Sequence, residues 1–182
     1  MAKRDNIYLV GLMGAGKTTV GRQLARQLNH VFYDADHVLE ERTGVRIPVI
    51  FEIEGEAGFR AREEAVIHEL CALTGIVLAT GGGAVLSPAN RAALAQNGTV
   101  VYLRGSPEQL YERTRHDRNR PLLQTSDPLE RLRELYALRD PLYREVADVI
   151  IDTGRQSAAH LTRALRDKLE ALYPTPVDSA QG

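Results

Sequence analysis

Cysteine is nearly absent: Cys71 stands alone in 182 residues, so the chain can form no intramolecular disulfide and suits a reducing compartment. An excess of one charge is missing too. The 23 basic and 24 acidic residues leave a net charge of −1, which argues against a dedicated nucleic-acid binder. No apolar run approaches the ~20 residues that a membrane span needs. The opening stretch, MAKRDNIYLVGLMGAGKTT, has a basic head and a short apolar segment but no small-residue cleavage site, and Lys17 interrupts it, so it reads as mature structure. These absences predict a cytoplasmic protein with neither a membrane nor a nucleic acid as partner. The five histidines (His30, His37, His68, His116 and His160) show no metal-ligand spacing, and no H-E-x-x-H or G-x-S-x-G occurs. Metalloenzyme and serine-hydrolase readings therefore fail. Lysine is also scarce: Lys3, Lys17 and Lys168 are the only three, which makes the place of Lys17 more telling.

What is present is a chain with 43% hydrophobic residues, enough for a core without disulfides or a structural metal. Five short apolar runs read as strands: 7–10, 31–33, 76–79, 100–103 and 149–151. They are nearly continuous rather than alternating, as in a parallel sheet covered on both faces. Helical patterns between them predict right-handed crossovers, hence an α/β fold of three layers, α/β/α. Val20, Leu24 and Leu28 form one apolar stripe; Phe59, Val66, Leu70 and Leu73 form another that stops before Gly75, read as a C′ glycine. Ser87-Pro88, Ser106-Pro107, Asp127-Pro128 and Asp140-Pro141 each pair an N-cap residue with proline at the first helical position. A break is therefore expected at Asp140. The polar segment 115–125, with Arg115, Arg118 and Arg120, reads as a lid loop between helices. One domain is expected over 1–173, with 174–182 a disordered tail.

The strongest motif is Gly11-Leu-Met-Gly14-Ala-Gly16-Lys17-Thr18, a P-loop of the form GxxxxGK[ST] between an apolar strand and an amphipathic helix. Its backbone amides, with the positive end of the following helix, suit phosphate oxygens. Gly14, Ala15, Gly16, Lys17, Thr18 and Thr19 are the expected ATP-binding set. Lys17 would reach the β/γ-phosphates, and the Thr18 hydroxyl would ligate Mg²⁺. Asp34-Ala-Asp36 ends the second strand: one carboxylate can hold Mg²⁺ through water and the other can accept a proton, or Asp34 simply ends the strand and Asp36 caps a helix running to Gly44. Thr80-Gly81-Gly82-Gly83 follows the third strand and is either a ligand-binding turn or a flexible one. Arg60, with Glu56 and Glu64 at helical spacing, reads by itself as a surface ion pair. Arg139 can merely complement a helix end, and Arg120 can be a solvated charge or the arginine that neutralises a transferring phosphate. Cys71 lies within an apolar helix and reads as core. All the motifs after strands 1 to 3 fall on the carboxyl edge of the sheet, where open α/β folds bind ligands.

Taken in order, GLMGAGKT, FYDAD, GEAGFR, ATGGGAV, RPLL and LRDPLY resemble the shikimate kinase family at its own spacings, across about residues 7–155. The resemblance implies a P-loop kinase fold like that of nucleoside monophosphate kinases, a five-stranded parallel sheet in order 2-3-1-4-5, and transfer of the ATP γ-phosphate to the 3-hydroxyl of shikimate on the way to the aromatic amino acids. It implies substrate-binding helices over about 34–62 and a lid over about 113–126. It assigns Asp34 to Mg²⁺ and Asp36 to the shikimate hydroxyls and the role of candidate base. Arg60 and Arg139 would clamp the shikimate carboxylate beside Gly81, Gly82 and Gly83. Arg120 would be the lid arginine on the phosphates and Arg113 an adenine contact. Arg155, in a loop with no sharp match, is a further expected adenine contact. Expected partners are ATP and shikimate, with Mg²⁺ as cofactor and the protein a monomer. The rival readings are another small-molecule kinase on the same scaffold, of gluconate or nucleotide type, and a nucleotide-gated switch without phosphotransfer.

Overall fold

The computed structural model describes residues 5–117 and 120–174; Arg118 of the expected lid and residues 175–182 of the expected tail lie outside the described residues. Five parallel strands, β1 (Ile7–Val10), β2 (Val31–Asp34), β3 (Ile76–Ala79), β4 (Thr99–Arg104) and β5 (Val149–Asp152), form one sheet in the order β2-β3-β1-β4-β5. This is the expected order. Among the described residues seven α-helices connect and cover them: α1 (Lys17–Leu28), α2 (Ala35–Thr43), α3 (Ile47–Cys71), α4 (Pro88–Asn97), α5 (Pro107–Thr114), α6 (Pro128–Val146) and α7 (Ala158–Leu172). The strand cores were legible because β1, β3 and β4 are apolar on both faces and lie buried between helical layers. Edge strand β2 differs, being only half-buried, with Val31 57% exposed.

Proline and a capping side chain start three helices as expected. Ser87, Ser106 and Asp127 accept the amides of Asn90, Gln109 and Glu130. The fourth pair behaves otherwise. α6 runs through Pro141 without a break, and the Asp140 carboxylate accepts from the Tyr102 hydroxyl at 2.7 Å and from Arg144 Nε at 2.8 Å instead of capping. Leu132, Leu135, Arg139, Tyr143 and Val146 are buried along one face on both sides of the proline. That packing offsets the ~3 kcal/mol cost of proline inside a helix.

Two further local expectations are corrected. Asp34, not Asp36, caps α2: its Oδ1 accepts the amides of Asp36 at 3.0 Å and His37 at 3.2 Å. Gly75 is not the C′ residue of α3, whose C-cap is Ala72; with φ +69° it turns the chain into β3, and its carbonyl accepts the Val31 amide. α3 is also longer than its apolar stripe suggests. It starts at Ile47 and bends at Gly55, whose φ of 73° and ψ of −179° are open to glycine at little cost. The bend aims the segment bearing Phe59, Arg60 and Glu63 across the carboxyl edge of the sheet. Cys71 is buried in the core, as expected.

Candidate active site

The loop after β1 wraps the N-terminus of α1. Gly16, in the left-handed region at φ 94°, is the N-cap, and the first turn of α1 carries no acidic residue, so its positive end is left for an anion. Lys17 Nζ donates to the carbonyls of Gly11 at 2.6 Å and Leu12 at 2.9 Å, which folds the ammonium over the loop. Dehydration in that position, reinforced by the Arg120 guanidinium, pulls the Lys17 pKa down to about 7 against the opposing pull of Asp36 and Asp34.

Asp34 uses both oxygens. While Oδ1 caps α2, Oδ2 accepts the Thr18 hydroxyl at 2.6 Å. A hydroxyl and a carboxylate joined at the phosphate end of a P-loop are hard oxygen donors of the kind Mg²⁺ takes, one or two from protein and the rest from phosphates and water. Among the described residues no cluster of three or more His, Cys, Asp or Glu side chains could form an all-protein metal cage. The donors present fit a magnesium ion brought in with a nucleotide.

Asp36 faces a different neighbourhood. Burial, then the nearby carboxylates of Asp34 and Glu63, push its pKa up to about 6, with Lys17 and Arg120 opposing. Glu63 is 2% exposed and its own pKa is raised by burial, even though its Oε1 accepts from Arg60 Nη1 at 2.9 Å. A Cβ on Gly81 would stand 2.6 Å from Glu63 Oε2 and 2.9 Å from Asp36 Oδ1, so both carboxylates crowd the same glycine.

Arg60 was expected beside Glu56 and Glu64. It pairs with Glu56 at 3.3 Å and with Glu63, whereas Glu64 accepts from the Ser87 hydroxyl at 2.7 Å. The guanidinium also lies over the Phe59 ring, 5.0 Å from its centroid. A Cβ on Gly83 would fall 2.3 Å from Arg60 Nη1 and Nη2, so the guanidinium rests against bare backbone. The far end of a flexible side chain can yield, so Gly83→Ala is expected to displace Arg60 from Glu63 and, by leaving that buried carboxylate unpaired, to lower stability by about 3 kcal/mol. A thermal melt and a structure of the variant check both parts.

Arg139 is 3% exposed, and burial lowers its pKa. Its Nη1 lies close to Gly82 and meets no hydrogen-bond partner among the described residues. Arg120 donates Nε to Asp117 at 3.0 Å.

Gly14, Gly16, Lys17, Thr18, Thr19, Asp34, Asp36, Gly81, Gly82 and Arg120 line one cavity of about 560 Å³. Arg60, Gly83 and Arg139 line a second, floored by Phe51 and Phe59, and Met13, Asp36, Ile47, Gly81, Gly82 and Arg120 belong to both. The two are therefore halves of one cleft. Ala15 is buried beneath the loop instead of facing the cleft. Arg113 and Arg155 line neither half. Arg113 ties the P-loop to the β5–α7 loop by donating to the carbonyls of Gly14 at 3.1 Å and Gly154 at 3.0 Å, and Arg155 is exposed in that second loop. Glu63 and Phe51 line the second half of the cleft and were not singled out by the sequence motifs; Tyr143 closes the motif LRDPLY and reaches the site through the Gly82 carbonyl, which accepts its hydroxyl. Glu63 was open to discovery, since it lies three residues after Arg60 on a helix. Phe51 carried no local signal, and Tyr143, although inside LRDPLY, gave no sign of its partner 61 residues away.

A phosphate cradle on the central strand of a 2-3-1-4-5 sheet, continuous with a guanidinium-lined cup, marks a P-loop kinase for a small acceptor. The shikimate kinase family model matches residues 13–170. The chain is 73% identical over 172 residues to a shikimate kinase of Thiobacillus denitrificans, covering 94% of each chain, and 65% identical to one of Cupriavidus pinatubonensis, covering 92% of this chain and 87% of that one. Among solved structures, a shikimate kinase from Acinetobacter baumannii in complex with shikimate superposes with a TM-score of 0.93 at 50% identity, over 94% of this chain and 96% of that one. The chain belongs to the shikimate kinase family, phosphotransferases with an alcohol acceptor.

Proposed function

We propose that the chain transfers the γ-phosphoryl group of ATP to the 3-hydroxyl of shikimate, with the P-loop half of the cleft holding the triphosphate and the Arg60–Arg139 half holding the acceptor. The observation that carries this division is the shared lining of the two cavities, with Asp36, Gly82 and Arg120 at their junction.

In this reading Gly14, Gly16, Thr18 and Thr19 cradle the phosphates, Ala15 supports the loop from beneath, and Lys17 neutralises the β/γ oxygens. Thr18 and Asp34 would hold Mg²⁺, which would supply charge neutralisation on the phosphate oxygens. Arg60 and Arg139 present planar forks to the shikimate carboxylate, a geometry that lysine would not give. Asp36 orients the acceptor hydroxyl and takes its proton as the oxygen–phosphorus bond forms and the ADP oxygen leaves. A base with a pKa near 6 is ionised at neutral pH and still close enough to it to accept a proton. Arg120, on the segment 113–126 that we assign as the lid, stabilises the charge spread over the transferring group and helps keep water out. Arg113 acts from the loop junction beside the adenine, with Arg155 next to it.

We further place the enzyme in the cytoplasm as a monomer without nucleic-acid or membrane partners. The near-zero net charge speaks against a nucleic-acid partner, and among the described residues no helix is long and apolar enough to cross a membrane.

ADP release measured with MgATP, with and without shikimate, tests the reading: release is expected only with shikimate. Arg60→Ala is expected to raise the KM for shikimate about 10–100-fold, the effect of losing a charged hydrogen-bonded pair, while leaving the KM for ATP within about twofold. Equal weakening of both substrates would place Arg60 outside the acceptor half.

A further inference from the structure

The three glycines after β3 have all their carbonyls engaged. Gly81 O accepts the amide of Ala84 and Gly83 O the amide of Leu86, both at 3.1 Å, as the chain closes the 3-10 turn Ala84–Leu86. The middle carbonyl has no such local partner: Gly82 O accepts the hydroxyl of Tyr143, 61 residues away on α6. The amides of Gly81, Gly82 and Gly83 donate to no other described residue. A loop whose acceptors are all tied back and whose donors are all free is a surface built for an anion or a hydroxyl oxygen.

Tyr143 is fully buried and stands one helical turn after Arg139 on the same face of α6. Its phenol interacts with the Arg139 guanidinium as well as with the glycine loop, and Arg139 Nη1 lies beside Gly82. The Gly82 carbonyl and the Gly83 amide share one trans peptide plane and point in opposite directions. Drawing the carbonyl toward α6 therefore turns the Gly83 amide away from that helix.

We propose that the Tyr143 hydroxyl is a positioning group for the acceptor carboxylate, holding the glycine-loop amides and the Arg139 fork as one preset unit. The proposal rests on the assignment of Arg139 and Gly81–Gly83 to shikimate. It gives Tyr143 a part in substrate affinity without contact with the reacting atoms.

Tyr143→Phe removes only the hydroxyl and keeps the ring packed on Tyr102, whose centroid lies 4.8 Å away. Tyr102→Phe is the matched control, because it removes a neighbouring hydroxyl that serves Asp140 and lines neither half of the cleft. Steady-state kinetics of the two full-length variants are compared with the parent. The expected result for Tyr143→Phe is a KM for shikimate about tenfold higher, with kcat and the KM for ATP within about twofold. Tyr102→Phe is expected to leave all three within twofold. An unchanged KM for shikimate in Tyr143→Phe, a parallel loss for both substrates, or the same rise in Tyr102→Phe would overturn the proposal. Should Tyr143→Phe not fold, 3-fluorotyrosine at position 143 replaces it: the hydroxyl becomes a stronger donor, so the KM for shikimate is expected to fall, and a KM at or above the parent's overturns the idea. Parent enzyme that turns over with shikimate while these tests fail would leave the assigned reaction standing and remove only Tyr143 from it; parent enzyme without shikimate-dependent turnover would end both.

Discussion

Lys17→Ala is expected to reduce shikimate-dependent ADP release by about 10²–10³-fold or more, the scale of losing a preorganised group aimed at developing charge. The protein is expected to stay folded. Lys17 is the first residue of α1, where alanine is at least as good a helix former, and its ammonium bonds only carbonyls of the loop that it covers. The electrostatics go further. The Lys17 pKa falls from 10.5 in the unfolded chain to about 7 in the fold, so the unfolded state binds more protons between those values and stability gained from deprotonating Lys17 rises with pH across that window. Near pH 7 and below, the charged ammonium is a cost to the unliganded protein. Lys17→Ala should therefore melt no lower than the parent at pH 7, and the difference between the two should shrink toward pH 10. A coupled ADP assay and circular-dichroism melts check the two halves. Retained turnover within tenfold of the parent would remove Lys17 from the phosphate site.

That combination of lost activity and kept stability was partly legible in the sequence, because the P-loop is a local motif. The glycines, lysine and threonine are adjacent, and their chemistry depends on a strand before and a helix after, both marked by apolar periodicity. The same holds for the caps at Ser87, Ser106 and Asp127, each read from a residue and the proline beside it. What stayed hidden depends on contacts between distant segments. Pro141 reads as a break because a local rule applies to it, while the buried stripe from Leu132 to Val146 that overrides the rule is visible only once the helix is packed. Asp140 likewise reads as a cap until Tyr102 is found above it. The partner of Arg60 was misplaced by one residue, Glu64 for Glu63, because two glutamates at helical spacing look alike until the bend at Gly55 sets which face meets the sheet edge. Arg113 bridging two loops and Tyr143 holding Gly82 are bonds spanning 99 and 61 residues, beyond any window of local pattern.

Asp36→Asn is expected to separate activity from stability most clearly. Turnover should fall by about 10²–10³-fold, the range for loss of a general base, with the larger part of the change in kcat. Parent activity should fall as pH drops through about 6, where Asp36 takes up a proton, and the variant should lose that acidic limb. Stability should move the other way. The Asp36 pKa rises from 3.8 in the unfolded chain to about 6 in the fold, so the native state binds more protons across that window and the contribution of Asp36 to stability falls as pH rises through it. At pH 7 its buried charge, set against Asp34 and Glu63, costs up to about 3 kcal/mol. An uncharged amide of the same shape escapes that cost. The unliganded variant is therefore expected to melt several degrees above the parent at pH 7 and to lose its advantage near pH 4, where the parent's carboxyl is already neutral. A melting difference that does not vary with pH, or a variant that melts below the parent at pH 7, would show that the carboxylate is not strained. The crowding of Asp36 and Glu63 against Gly81 would then be ordinary packing, without the electrostatic tension that keeps a base poised beside the acceptor.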